Sequence, residues 1–262
     1  MLDVKSLTKR FSVGLVRRRK IEAVKNVSFE VRPAEFVSLV GESGSGKTTT
    51  ARMILKLLKP TAGSVLYNGK DIWRLRNRAE CMQYWREVHG VFQDPFSAYN
   101  PFYKVDRVLN QAFSLLKDRT SDRERTIRES LKQVGLNPQD VLGKYPHELS
   151  GGQKQRLMIS RCYILRPKVI IADEPISMID ASTRAGVLAL FSRLRDEFKT
   201  SVVFITHDLG LAYYASDKVI IMHNGVIVEE GSPEEITSRP QNDYTRRLMK
   251  DVPLLYQKWD GF

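Results

Sequence analysis

The sequence predicts an α/β fold: a parallel sheet with an antiparallel flank and an inserted α-helical subdomain. Three observations point to it. Short, uninterrupted apolar runs (EFVSLV, KVIIAD, SVVFIT) alternate with helical periodicities, as strands buried on both faces of a parallel sheet do. Asn-Gly dipeptides at 68–69 and 224–225 adjoin apolar runs and mark tight hairpins, hence the antiparallel flank. Helical patterning then fills residues 104–164.

In chain order, residues 2–7 alternate like a short strand. Residues 8–20 hold Gly14 and the basic run Arg17-Arg18-Arg19-Lys20, which reads as a solvated loop or as a lipid or phosphate contact. Residues 21–31 alternate again until Pro33 ends the run. EFVSLV reads as a buried strand that leads directly into glycines and a helix over 48–58. GSVLY precedes the first hairpin signal. Residues 71–86 read as a basic amphipathic helix, 88–92 as a strand, and DPFSAYNP as a loop with two prolines. The helical stretch is broken at 135–138 and at Tyr145-Pro146. KVIIADEP is a buried strand that ends in two carboxylates. A helix over 181–198, the strand SVVFIT and His207-Asp208 follow. KVIIMHNGVIVEEG turns as a hairpin at 224–225. The tail carries a short helix near 233–238 and a basic one near 243–250.

A length of 262 residues suits one large domain or two coupled subdomains, and 42% apolar residues is ordinary for a globular chain. Lys plus Arg number 42 against 30 Asp plus Glu, a net charge of +12. That charge suits nucleic acid, anionic lipid or phosphorylated ligands, or is simply spread over solvated faces. Cys81 and Cys162 stand in different segments, which excludes a metal spacing or a disulfide framework and fits a reduced, intracellular chain. MLDVKSLTKRF lacks the pattern of a signal peptide, and no apolar run reaches the roughly 18 residues a membrane span needs. The expectation is a chain soluble by itself that can dock on a membrane partner.

The chemistry concentrates in five places. Gly41-Glu42-Ser43-Gly44-Ser45-Gly46-Lys47-Thr48 fits G-x-x-x-x-G-K-[ST], between a strand and a helix, with Thr49 next in line. Its glycines let successive N–H groups curve around phosphate oxygens, Lys47 reaches the β/γ-phosphates, and Thr48 can ligate Mg²⁺. Asp173 ends an apolar strand near Mg²⁺ and the phosphates, and Glu174 is poised as general base for an attacking water. Gln93 follows another strand; its amide could sense Mg²⁺ or the attacking water, or be a surface glutamine. His207, after SVVFIT, could donate to a γ-phosphate or be structural. Ser150 can cap a helix whose first residues, Gly151 and Gly152, let its amides approach an anion; Gln153 completes the segment. Alone, it is equally a plain helix cap.

These elements, in this order, resemble the ATP-binding-cassette family over nearly the whole chain. GESGSGKT is similar to its Walker A, Gln93 to its Q-loop, LSGGQ at 149–153 to its signature, VIIADE to its Walker B, SMID at 177–180 to its D-loop, and His207 to its switch histidine. Phe11, in LTKRF, is the candidate for the adenine-stacking aromatic. The resemblance implies a P-loop, RecA-like core over 1–92 and 165–235, a helical subdomain over 93–164, and ATP with Mg²⁺ as ligands. It also implies two cassettes facing head to tail, so that the Ser150–Gln153 signature serves the partner's nucleotide.

A closer likeness is to the ATPase subunits of oligopeptide/dipeptide-type importers, carried by FQDPFSAYNP, ADEPISMIDAS, THDLGLA and the tail segment RPQNDYTRRLMKDVP within 236–262. It implies a second ATPase (paralogue or self), two transmembrane permeases, an external substrate-binding protein, and a peripheral place on the cytoplasmic face of the membrane. Some relatives import oligosaccharides instead. The chain departs from the subgroup in reading SMID where SALD is common. Its tail to Phe262 also lacks the cysteine cluster of some members, so no iron–sulfur cluster is expected. Two rivals remain. A nucleic-acid-linked ATPase of repair or translation fits the charge, but there is no long coiled-coil insertion and only one cassette, so no nucleic acid is expected. A catalytically silent nucleotide-binding subunit is disfavoured by intact Glu174, His207 and LSGGQ.

Overall fold

The computed structural model describes residues 1–13, 19–93, 99–116, 122–177, 179 and 181–250. They form two compact units. The first comprises Met1–Val31, Glu35–Asp71 and the chain from Phe204 onward; the second comprises Arg32–Ala34 and Ile72–Val203.

In the first unit, β1 (Leu2–Val13) and β2 (Arg19–Val31) pair antiparallel from Leu2↔Val31 to Val13↔Arg19. The strands are therefore longer than the alternation suggested: β1 runs on through Val13, and Arg19 and Lys20 are strand, not loop. The reason is local. The register shifts between Val4 and Leu7 and again between Leu7 and Lys9, and Ser6 and Asn26 adopt positive φ. Each bulge resets the inward–outward alternation, while the backbone pairing continues across it. The basic run at Arg17-Arg18 lies outside the described residues. β4 (Ala62–Tyr67) pairs with β1, and β5 (Lys70–Asp71) returns along β4 after the turn at Asn68-Gly69, giving the order β2-β1-β4-β5.

The first unit's other sheet takes β10 (Val226–Gly231), β9 (Lys218–His223), β3 (Phe36–Val40) and the end of β8 (Ser201–Thr206), in that order. β3 runs parallel to β9 and is buried at all five positions, as its uninterrupted apolar run requires. Asn224 and Gly225, at φ 50° and 84°, form the tight turn between β9 and β10. The helices here are α1 (Lys47–Ile54), α8 (Leu209–Ala215), α9 (Pro233–Ser238) and α10 (Asp243–Lys250). α1 stops short of the predicted Leu58 because Lys56 turns left-handed (φ 60°) and Leu57 N–H closes onto the Arg52 carbonyl. Val40, Leu209, Ala212, Val219, Ile221, Ile236 and Tyr244 pack as one buried cluster.

In the second unit, β6 (Val88–Val91), β7 (Val169–Asp173) and the start of β8 are consecutive strands, and β6 and β7 run parallel from Val88↔Val169 to Val91↔Ala172. The helix predicted over 71–86 is shorter. A 3₁₀ turn spans Ile72–Arg74, and α2 starts at Arg78 (Arg78–Glu87) because the Asn77 side chain accepts from Ala79 N–H and caps it. α3 (Asp106–Phe113), α4 (Arg123–Gln133) and α5 (Pro138–Val141) precede α6 (Gly151–Leu165), and α7 (Ala181–Phe198) follows β7. α6 buries ten residues, from Lys154 to Leu165, on more than one face; it is the core helix of this unit. Leu109, Leu131 and Leu157 are fully buried.

Candidate nucleotide-binding site

The glycine-rich loop leaves β3 at Gly41 and enters α1 at Lys47. Gly46 caps α1 in the left-handed region (φ 104°), with no side chain donating or accepting at the cap. A Cβ there would lie 2.5 Å from the Ala23 carbonyl oxygen, so only glycine lets the loop pass. Lys47 is buried, and its ammonium donates to Gly41 O (2.6 Å), Glu42 O (2.8 Å) and Ser45 Oγ (3.3 Å). It is thus curled over the concave face of its own loop. Gly225 N–H donates to Ser45 O (3.0 Å), which ties the β9–β10 turn to the loop. Ser43 and Gly44 are exposed at its tip, and Thr48 and Thr49 are half-buried in the first turn of α1.

Phe11 lies on β1 opposite Ile21, is 36% exposed, and has the Lys9 ammonium 5.3 Å from its ring centre. His207 is exposed directly after β8. Asp208 then caps α8 by accepting from Leu211 N–H.

In the second unit, the parallel pairing of β6 and β7 brings Gln93, Asp173 and Glu174 to one strand edge. Gln93 stands two residues past the Val91↔Ala172 pair and is exposed; Asp173 closes β7 and is buried. Glu174 sits at φ 46°, a left-handed conformation that costs a non-glycine residue on the order of 1 kcal/mol. A turn holds it there: both the N–H and the hydroxyl of Ser177 donate to the Glu174 carbonyl.

Ser150 caps α6 reciprocally with Gln153. The Ser150 hydroxyl accepts from Gln153 N–H (3.2 Å), and Ser150 N–H donates to Gln153 Oε1 (2.9 Å). Ser150, Gly151, Gly152 and Gln153 line an open cleft of about 380 Å³ with Arg156, Ile179 and Thr183. Arg156 follows Gly152 by one helical turn, so spacing alone could have found it; Thr183 arrives on α7 and left no local signal. Met178 and Asp180 of SMID, most of DPFSAYNP, and the last twelve residues lie outside the described residues.

The second unit also holds a buried polar group that the sequence did not announce. His89 on β6 is held near pKa 3, first by burial and then by the Arg161 guanidinium of α6. His89 Nε2, Arg161 Nε and the Gln155 amide have no hydrogen-bond partner among the described residues. The Tyr99 hydroxyl donates to the Lys154 carbonyl and so joins the segment after Gln93 to α6.

The sequence and the fold match a known group of proteins. The family described as ABC transporter matches residues 24–177. The chain is 39% identical over 257 residues to the oligopeptide transport ATP-binding protein OppF of Streptococcus pyogenes serotype M1, covering 97% of this chain and 82% of that protein. It is equally 39% identical to a putative peptide import ATP-binding protein of Brucella ovis, over 97% of this chain and 78% of the other. Among solved structures, the dimeric post-hydrolysis state of the ATP-binding cassette MJ0796 bound to ADP and Pi superposes with a TM-score of 0.79 at 30% identity, over 89% of this chain and 99% of that one. No helix among the described residues is long and apolar enough to cross a membrane. With a family match over more than half its length and relatives 39% identical across nearly all of it, the chain belongs to the ABC transporter family, as an ATP-binding cassette.

Proposed function

We propose that the chain is the ATP-hydrolysing subunit of an importer for oligopeptides, dipeptides or oligosaccharides. It works at the cytoplasmic face of the membrane with a second cassette, two permeases and, through them, an extracytoplasmic binding protein. The observation that carries this reading is the likeness over 97% of the chain to proteins named for peptide transport. The likeness to a dimeric cassette supports a two-cassette assembly.

The chain's own groups suit the chemistry. The amides from Ser43 to Thr49 wrap phosphate oxygens, and Lys47 adds a buried positive charge. Phe11 offers a half-open ring face to adenine. Mg²⁺ takes oxygen donors, which the Thr48 hydroxyl, the Asp173 carboxylate and the Gln93 amide would each supply. When bound, Mg²⁺ supplies charge neutralisation at the β- and γ-phosphates. Glu174 orients or deprotonates water, and His207 donates to a γ-phosphate oxygen. Ser150, Gly151, Gly152 and Gln153 serve the nucleotide of the partner cassette. Their capping box keeps that helix end ordered before any partner arrives. Permease contact falls to residues 93–101, which ties that contact to hydrolysis.

Glu174→Gln tests the central role. Hydrolysis should fall by about 10²-fold or more while nucleotide binding is retained. Hydrolysis near the wild-type rate would reject Glu174 as the general base.

A further inference from the structure

The tail helix α10 touches the phosphate loop at one atom. Tyr244 is buried, 4% exposed, with its ring stacked on His223 at 3.9 Å between centroids. Its hydroxyl accepts a hydrogen bond from Glu42 N–H at 2.9 Å. The carbonyl of that same peptide unit belongs to Gly41, and it accepts from the Lys47 ammonium at 2.6 Å. One peptide plane therefore has Tyr244 on its N–H and Lys47 on its C=O. A planar trans peptide cannot turn one of these without the other. The next carbonyl, Glu42 O, accepts from Lys47 and from Ser45 N–H, so the fixed plane leads the whole curl of the loop.

α10 is itself held firmly. The Glu229 carboxylate of β10 accepts from Gln241 N–H (2.7 Å) and Asn242 N–H (3.1 Å), and the Asn242 side chain accepts from Tyr244 N–H (2.8 Å). Leu248 and Met249 pack against the cluster that contains Tyr244 and Val40, the last residue before Gly41.

We propose that Tyr244 is a positioning residue for nucleotide binding: its hydroxyl fixes the Gly41–Glu42 peptide, and through it Lys47, so that α10 sets the affinity of the phosphate loop. This rests on the reading of residues 41–48 as the ATP site. Nothing in the loop motif requires it, because the partner atom comes from 202 positions along the chain.

The test uses the full chain and a fluorescent ATP analogue, with Tyr244→Phe beside Lys47→Ala. Phenylalanine keeps the stacked ring and removes only the acceptor. The expected result for Tyr244→Phe is a melting temperature within about 2 °C of wild type, affinity weakened roughly 3- to 10-fold, and Glu42 amide exchange at least about tenfold faster while the β3 amides are unchanged. Glu229→Gln, which loosens the start of α10 without touching the loop, should weaken binding in the same sense by about twofold and serves if the first variant melts early. Wild-type affinity in both variants, with Lys47→Ala binding lost, overturns the role of Tyr244 alone. A wild-type chain that binds no nucleotide overturns the phosphate-loop reading and this one with it.

Discussion

Two glycine-rich helix starts in this chain look alike in sequence and differ in what they do with their N–H groups. α1 begins at a left-handed glycine with no side-chain cap and no acidic residue in its first turn. α6 begins at Ser150 in extended conformation with a complete capping box. Every helix leaves its first amides without intrahelical partners. At α1 no side chain caps those amides, and the Lys47 ammonium is curled over the loop that precedes them. At α6 the protein satisfies two donors itself, one at Ser150 and one at Gln153. The first turns on a left-handed glycine and, under the proposed function, leaves its amides for an anion; the second is capped by its own side chains and has its glycines lining a cleft. Under the proposed function, that contrast suits a chain whose α1 loop holds its own nucleotide and whose α6 start serves another chain's.

Substitutions should separate the two. Gly46→Ala places a Cβ against a backbone oxygen at φ 104°, so we expect a loss of about 2–4 kcal/mol. Thermal melting would show this as a fall of roughly 5–15 °C. An unchanged melt would mean the loop is less constrained than the Ala23 contact implies.

His89, on β6, carries an effect that is small per pH unit and accumulates as pH falls. His89, beside Arg161, titrates near 3 in the folded chain against 6.5 unfolded. Below pH 6.5 the unfolded chain binds a proton that the folded chain refuses. Stability should therefore be complete above that pH and decline by up to about 1.4 kcal/mol per pH unit as pH falls towards 3. Denaturant melts across that range should show the slope, and His89→Gln should reduce it by one proton's worth.

Ser150→Ala removes the cap and should cost about 1 kcal/mol, a drop of a few degrees. The smallest effect has the opposite sign. A Cβ on Gly152 meets Ile179 and Thr183 only at ordinary contact, 3.8 Å, so Gly152→Ala should leave stability unchanged or raise it by up to about 1 kcal/mol, read from the melting temperature. If Gly152→Ala destabilised as much as Gly46→Ala, the two helix starts would not differ as described.

What could be read from the residues in order was what neighbours decide. The Gly46-Lys47 turn, the Asn224-Gly225 hairpin, the Ser150–Gln153 cap and the buried runs of β3, β7 and β8 each depend on a few adjacent residues, so a short window holds the whole signal. The bulges at Ser6 and Asn26 hid the ends of β1 and β2, because a bulge breaks alternation while leaving pairing intact. The 71–86 helix failed for a related reason: a helical charge pattern carries no mark of where Asn77 restarts the chain.

The motif order, read as a likeness to known cassettes, named the family before any fold was seen. It also offers Lys47, Glu174 and His207 as candidates, since chemistry selects residue types. Tertiary structure alone decided that Tyr244 meets Glu42, that Thr183 faces Gly152, and that His89 and Arg161 share one buried space. Those contacts join residues tens to hundreds of positions apart. A tyrosine in a basic tail helix and a histidine in a short strand look ordinary until packing excludes water around them. Burial turns a common side chain into a held hydrogen bond or a shifted charge, and burial belongs to the folded whole.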